Sequence, residues 1–160
     1  MTRDPLGKGS DPVANFYRYV RGNPISLTDP SGLWTVEIGV TVNVEIGSFA
    51  LQYGAGIAVD GNGNVGTYST GGVGAGAGAG ASGGVSFGGS NAPTICDLRG
   101  LFVNYGGAAG AGANAGAGTF VGTTADGTPV IGAEVTAGTG AGGGASVNFT
   151  NTTVNVIGQF

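Results

Sequence analysis

The sequence contains no histidine and only one cysteine, Cys96, among its 160 residues. Zinc deaminases and zinc hydrolases need histidine and cysteine ligands, and the common covalent mechanisms need a histidine base beside the nucleophile. These enzyme classes are therefore not expected, and neither a metal nor a cofactor is predicted. A lone cysteine does not indicate the redox compartment.

Charged residues are also scarce, and basic ones are almost confined to the beginning of the chain. After Trp34 the sequence has Arg99 as its one basic residue, against six acidic residues: Glu37, Glu45, Asp60, Asp97, Asp126 and Glu134. A protein that binds nucleic acid needs lysine and arginine to displace phosphate counterions. Nucleic acid is therefore excluded from the expected partners.

Glycine is the residue that the sequence has in abundance, with 37 copies, most of them after Trp34. Glycine brings no side chain to a core, and it loses more backbone entropy on folding than any other residue. This part of the chain must pack backbone against backbone or stay partly disordered. We therefore predict two domains, a first segment at 1–33 and a Gly/Ala-rich β domain at 34–160.

The first segment carries a specific series of short motifs. It begins with Asp4-Pro5-Leu6-Gly7, continues with the run NFYRYVRGNP at 15–24, and closes with Asp29-Pro30-Ser31-Gly32-Leu33. With these elements in this order, residues 3–33 resemble the closing segment of the RHS/YD-repeat associated core. RHS proteins form large β-cage shells, and a variable C-terminal domain, often a toxin, begins where the core segment ends.

The resemblance implies a role for each part of the chain. Residues 34–160 would be the effector tip of a bacterial polymorphic toxin, and the partners would be an RHS shell or a cognate immunity protein. The residues after Met1 do not form the apolar region of a secretory signal. Export or delivery to a neighbouring cell would therefore depend on a parent secretion system.

The resemblance also implies self-cleavage within the first segment. Asp4 and Asp29 would be the catalytic pair, and the chain would be cut after Leu33. Two close carboxylates suit this chemistry when one is protonated and the other is ionised. The alternative is a turn-rich docking segment in which the Asp-Pro and Asn-Pro pairs shape turns, and we expect the isolated chain to be inactive in cleavage.

A period of two dominates the sequence after Trp34. Apolar residues occupy the even positions from Val36 to Ile46 and the odd positions from Phe49 to Val59, with Gly47 at the change of parity. This pattern predicts two strand segments joined by a reversal or a bulge. The sequence DGNGN at 60–64 then predicts a hairpin turn.

Later segments repeat this arrangement. Glycine and alanine alternate within 72–84 and 109–118, and the segment 131–142 repeats the period of two with Ile131, Glu134, Val135, Thr136 and Thr139 among its glycines and alanines. The triplets Val85-Ser86-Phe87 and Val147-Asn148-Phe149 follow the first and last of these segments. A second turn is predicted at DGTP, residues 126–129. The expected fold is mainly β, with antiparallel Gly/Ala-rich strands in a meander, barrel or sandwich that contains an internal duplication.

The functional hypotheses differ in class. Long uncharged stretches at 61–96, 100–125 and 135–160 fit a membrane-active β structure, which makes a membrane a further expected partner. The alternatives are a soluble barrel or sandwich and, in function, a non-catalytic structural or adhesive β-module displayed by an RHS carrier. An enzyme is not favoured.

One non-repetitive loop, residues 91–100, supplies a candidate site at Cys96, Asp97 and Arg99. Arg99 would either anchor the loop by pairing with Asp97 or clamp a substrate beside a Cys96 nucleophile. Both interpretations stay open from the sequence.

Overall fold

The computed structural model describes residues 34–160. The segment at 3–33 that resembles the RHS core, including Asp4, Asp29 and Leu33, lies outside the described residues. Its predicted self-cleavage and the predicted domain boundary after residue 33 therefore stay predictions.

The described residues form a four-stranded antiparallel sheet with strand order β1-β2-β4-β3. The strands are β1 (Thr35–Asp60), β2 (Asn64–Ser90), β3 (Gly100–Thr123) and β4 (Pro129–Gln159), and a 3₁₀ helix (Ile95–Leu98) lies between β2 and β3. The predicted mainly β, antiparallel fold is confirmed. The arrangement is not a simple meander, because β4 lies between β2 and β3.

The sheet curls strongly over its own concave face. Strands of 24 to 31 residues greatly exceed the usual length of about 3–10 residues, and the sheet is bent across them. The two ends of β1 meet, because the Gly61 amide donates to the Trp34 carbonyl at 3.1 Å. In β3, a Cβ added to Gly118 would lie 3.2 Å from the Tyr105 carbonyl oxygen of the same strand. The result is a half-barrel with β1 and β3 at its edges.

Glycines in the left-handed region mark the bends. Gly47 in β1, Gly112 in β3 and Gly142 in β4 have φ values of 62°, 92° and 93°, which residues with a Cβ rarely adopt. The register of β1 against β2 shifts between Gly47 and Phe49. The irregularity that the change of parity predicts at Gly47 is thus confirmed.

The internal duplication is visible in the strand register. The β1–β2 hairpin and the β3–β4 hairpin pair through their second strands, β2 and β4. In the pairing of β2 with β4, the two V-x-F triplets have equivalent partners. Val85 pairs with Ala137 as Val147 pairs with Ala75, and Phe87 pairs with Val135 as Phe149 pairs with Val73. The two halves of the domain are therefore related by an approximate two-fold arrangement.

A small hydrophobic core fills one end of the curled sheet, beneath the 3₁₀ helix. Its aromatic centre is Phe102 against Phe120, with ring centroids 5.7 Å apart and planes at 85°, an edge-to-face arrangement that aromatic pairs favour. Around them lie Ala58, Tyr68, Ala92, Ile95, Leu98, Val130 and Val154. This end, which we call the core end, holds the two layers of the sheet together by side-chain packing.

Asp60 joins the first hairpin turn to the 3₁₀ helix at the core end. Its carboxylate accepts hydrogen bonds from the backbone amides of Asn62 at 2.9 Å, Asn64 at 3.1 Å and Ile95 at 3.0 Å. Burial opposes the charged form of this side chain. The hydrogen bonds from Asn64, Ile95 and Asn62 outweigh burial and lower the pKa of Asp60.

We predict that Asp60→Asn destabilises the folded protein by about 2 kcal/mol, because an amide offers one acceptor oxygen where the carboxylate offers two. The pKa of Asp60 is lower in the folded chain. The contribution of Asp60 to the free energy of unfolding is therefore complete above the usual pKa of 3.8. This contribution is lost as the pH falls through the pKa of Asp60 in the folded chain. Urea unfolding should show a smaller difference between wild type and variant at pH 3 than at pH 7. An equal difference at both would contradict the role of the carboxylate.

Candidate functional site: a polar interior under an apolar outer face

Alternate residues of each strand face opposite sides of the curled sheet, and the apolar ones face outward. Val85 in the middle of β2 is 57% exposed, and Ile46 at the bend of β1 is 70% exposed. Other large apolar side chains share this outer face, among them Ile38, Val40, Val42, Phe49, Leu51, Phe87, Tyr105, Ile131, Val135, Val147 and Phe149. A water-soluble protein normally buries such a face.

The alternation predicted for β1 is therefore present. In an ordinary half-buried strand the apolar residues face the interior, whereas in β1 they face outward. The apolar positions from Val36 to Ile46 are mostly exposed, whereas Thr41 is buried. Polar and glycine positions line the concave side. The chemistry of this domain consequently lies in its interior.

The outer face of the four strands carries no charged residue in the described part of the chain. Glu37, Glu45 and Glu134 instead point inward. Glu45 shows this directly, because its Oε2 atom lies 2.8 Å from the position that a Cβ of Gly78 would take on the concave side. The strands thus separate an apolar exterior from an acidic interior.

Two small cavities lie inside the curled sheet, each of about 40 Å³. One is lined by Glu37, Tyr68 and the phenyl rings of the core end, the other by Glu45 and Asn148, and Gln52 and Glu134 border both. A cavity of this size holds a few water molecules. The interior is therefore polar and has room for water over part of its length.

Several polar groups of this interior lack a protein partner in residues 34–160. Gln52 Nε2 donates to Glu134 Oε1 at 3.2 Å. Glu37 Oε1, Glu45 Oε2 and Asn148 Oδ1 are buried without a hydrogen-bond partner. A buried carboxylate oxygen without a donor is costly, so water or a counterion is the natural partner for these atoms.

The division of glycine and alanine explains how the sheet curls so tightly. In the Gly-Ala tract of β2 the alanines face outward and the glycines face the concave side. A Cβ at Gly80 would lie 2.6 Å from the Ala141 carbonyl oxygen of the neighbouring strand, closer than real Cβ atoms come. Glycine on the inside allows curvature, and alanine keeps the outside apolar.

The structure gives each residue of the predicted loop site a separate environment. Cys96 is exposed on the 3₁₀ helix. Asp97 accepts hydrogen bonds from the amide and hydroxyl of Thr94 at 3.0 Å and 2.8 Å. Arg99 donates to the Val154 carbonyl through Nε at 3.0 Å and Nη2 at 2.7 Å. Asp97 and Arg99 are thus held by different partners, and both contacts stabilise the loop.

The inward-facing glutamates are candidate site residues that sequence reasoning missed. Their signal was present, because Glu37 and Glu45 occupy the polar phase of the alternation in β1. Alternation alone does not say which phase faces inward. The answer depends on the curl of the sheet.

Within residues 34–160, no helix has the length and hydropathy needed to cross a membrane. The cysteine and acidic side chains of the same residues do not gather in groups of three or more that would hold a metal ion. Comparison of the chain with family models, curated proteins and solved structures gives no match. The RHS resemblance of residues 3–33 therefore stays a prediction.

Proposed function

We propose that residues 34–160 form a membrane-active module that inserts β-structure into a lipid bilayer. The observation that carries the proposal is the separation of faces, with an outer face free of charge and the strand glutamates Glu37, Glu45 and Glu134 turned inward. Strands that cross membranes have this arrangement, because lipid tails solvate apolar side chains and a polar interior solvates the rest.

The dimensions of the sheet support the same function. From Thr35 to the bend at Gly47, β1 is slightly longer than the roughly 9–11 residues that a tilted strand needs to cross the hydrocarbon core. The paired part of β2 from Gly80 to Ser90 is of similar length. These two strand segments therefore match the thickness of a bilayer.

The setting of this activity rests on the first segment. If residues 3–33 are the end of an RHS core, residues 34–160 are the effector tip that the carrier delivers, and the target is the membrane of a neighbouring cell. A membrane-directed effector needs no catalytic histidine and no cofactor, which agrees with the composition.

Dye release from liposomes tests the proposal. The full chain at micromolar concentration should release carboxyfluorescein from vesicles of phosphatidylethanolamine and phosphatidylglycerol. Heat-denatured protein serves as a control for nonspecific disruption. Vesicles that stay intact under these conditions would refute membrane activity.

A second function, a non-catalytic adhesive or structural β-module, is favoured by the edges of the sheet. β1 and β3 are edge strands of 26 and 24 residues, and long edges pair readily with other strands. This function predicts that the full chain forms assemblies in solution, seen by sedimentation, and has no effect on bacterial growth when directed to the periplasm.

A further inference from the structure

The charged residues of the described loops and turns are collected at the core end of the domain. Asp60 ends β1 at the turn into β2, Asp97 and Arg99 lie in or beside the 3₁₀ helix, and Asp126 lies in the turn between β3 and β4. The hydrogen bond from the Ile95 amide to Asp60 ties the first turn to the helix. Asn91 Nδ2 donates to the Pro129 carbonyl at 3.2 Å and ties the loop to the start of β4.

The opposite end consists of the bends, and we call it the bend end. Its four segments lie at one level of the sheet because Gly47 pairs with Gly78, Gly78 with Gly144, and Gly110 with Gly142. The segments are residues 46–49, 76–81, 109–115 and 141–145, and they contain glycine, alanine, serine, asparagine, isoleucine and phenylalanine alone. No outward side chain of the bend end is therefore charged, and the neighbouring Glu45 points into the interior, with its Oε2 atom 2.8 Å from the position that a Cβ of Gly78 would take.

Two large apolar side chains stand at this end. Ile46 and Phe49 flank Gly47 and Ser48 at the bend of β1, and both are exposed. The backbone next to them is largely paired within the sheet, since β2 and β4 stay in register through Gly78, Gly80 and Gly142. Entry of this end into hydrocarbon would bury apolar surface while the two central strands, β2 and β4, keep their backbone partners.

We infer that the domain enters the bilayer with the bend end first, while the core end stays in water. This inference rests on the proposed membrane activity and adds its direction. A charged side chain at the centre of a bilayer costs at least about 2.5–3.5 kcal/mol. Leading with the core end would carry Asp60, Asp97, Arg99 and Asp126 across the hydrocarbon, whereas leading with the bend end carries none of them.

The single cysteine gives a native probe for the core end. The full chain is labelled at Cys96 with the polarity-sensitive fluorophore NBD, and a second sample is labelled at the bend end in Cys96→Ser with Ala111→Cys. Ser48→Cys in the same background is a second bend-end position, should Ala111→Cys impair folding. Each sample is mixed with vesicles of phosphatidylethanolamine and phosphatidylglycerol.

The emission of the bend-end labels should shift to the blue and brighten severalfold. These labels should be protected from quenching by iodide in the water and should be quenched by nitroxide-labelled lipids. The label at Cys96 should stay accessible to iodide and unshifted. Protection of Cys96 with an accessible bend end, or protection of both ends, would overturn the direction of entry and leave membrane activity intact. Labels that are unchanged at both ends would overturn the direction and the proposed function together.

Discussion

Placing a lysine on the outer face should abolish vesicle leakage. Val85 lies about midway along its half of β2, pairs with Val40 and Ala137, and is exposed on the outer face. In Val85→Lys, a positive charge enters the middle of the hydrocarbon, which costs about 2–4 kcal/mol for strands in a membrane. Insertion should weaken on the order of a hundredfold, so leakage at the concentration that is fully active for wild type should disappear.

Ser82→Lys is the matched control, because Ser82 belongs to the same strand and faces the interior near Glu45. A lysine there meets a polar, acidic lining instead of lipid, and leakage should be largely retained. Circular dichroism and unfolding of both variants establish that they keep the β fold. Equal loss of leakage in two folded variants, or no loss in Val85→Lys, would show that the outer face does not contact lipid.

The sequence predicted the strands and turns of this domain because their signals are local. The alternation in β1 and the DGNGN turn at 60–64 depend on neighbours along the chain, and the structure confirms both. The strand order and the curl depend on contacts between distant segments. The position of β4 between β2 and β3 therefore had no local signal.

The interior site was harder to predict for the same reason. Glu37 and Glu134 are far apart in the sequence, and they border one cavity because both pair with Gly88, which places them at the same level of the sheet, two strands apart. The one clue is the phase of glycine in the Gly-Ala tracts, since the face that approaches other backbone must be the glycine face. In contrast, the loop at 91–100 attracted a prediction because its composition is unusual, although Asp97 and Arg99 serve local contacts.

Adding a methyl group to the concave face should prevent the sheet from curling. In Gly74→Ala, the new Cβ would overlap the Val147 carbonyl oxygen and lie 2.6 Å from the Asn148 Cα. Both are backbone atoms of the neighbouring strand, which cannot move without breaking the β2–β4 pairing. Overpacking of this kind costs about 3 kcal/mol, a large fraction of the roughly 5–15 kcal/mol that stabilises a domain.

Gly83→Ala tests whether this cost comes from the inner face and not from the loss of a glycine. Gly83 also lies in β2 but faces outward, and its Cβ would meet the Val42 Cγ2 at an ordinary 3.6 Å. Removing this glycine should stabilise the fold by about 0.4–1 kcal/mol, because the unfolded chain loses freedom.

Urea unfolding followed by the fluorescence of Trp34, the single tryptophan, compares the two variants. If both change stability in the same direction, backbone entropy alone decides the outcome. Opposite changes mean that the glycine face sets the curvature, and with it the side that the apolar residues present to lipid.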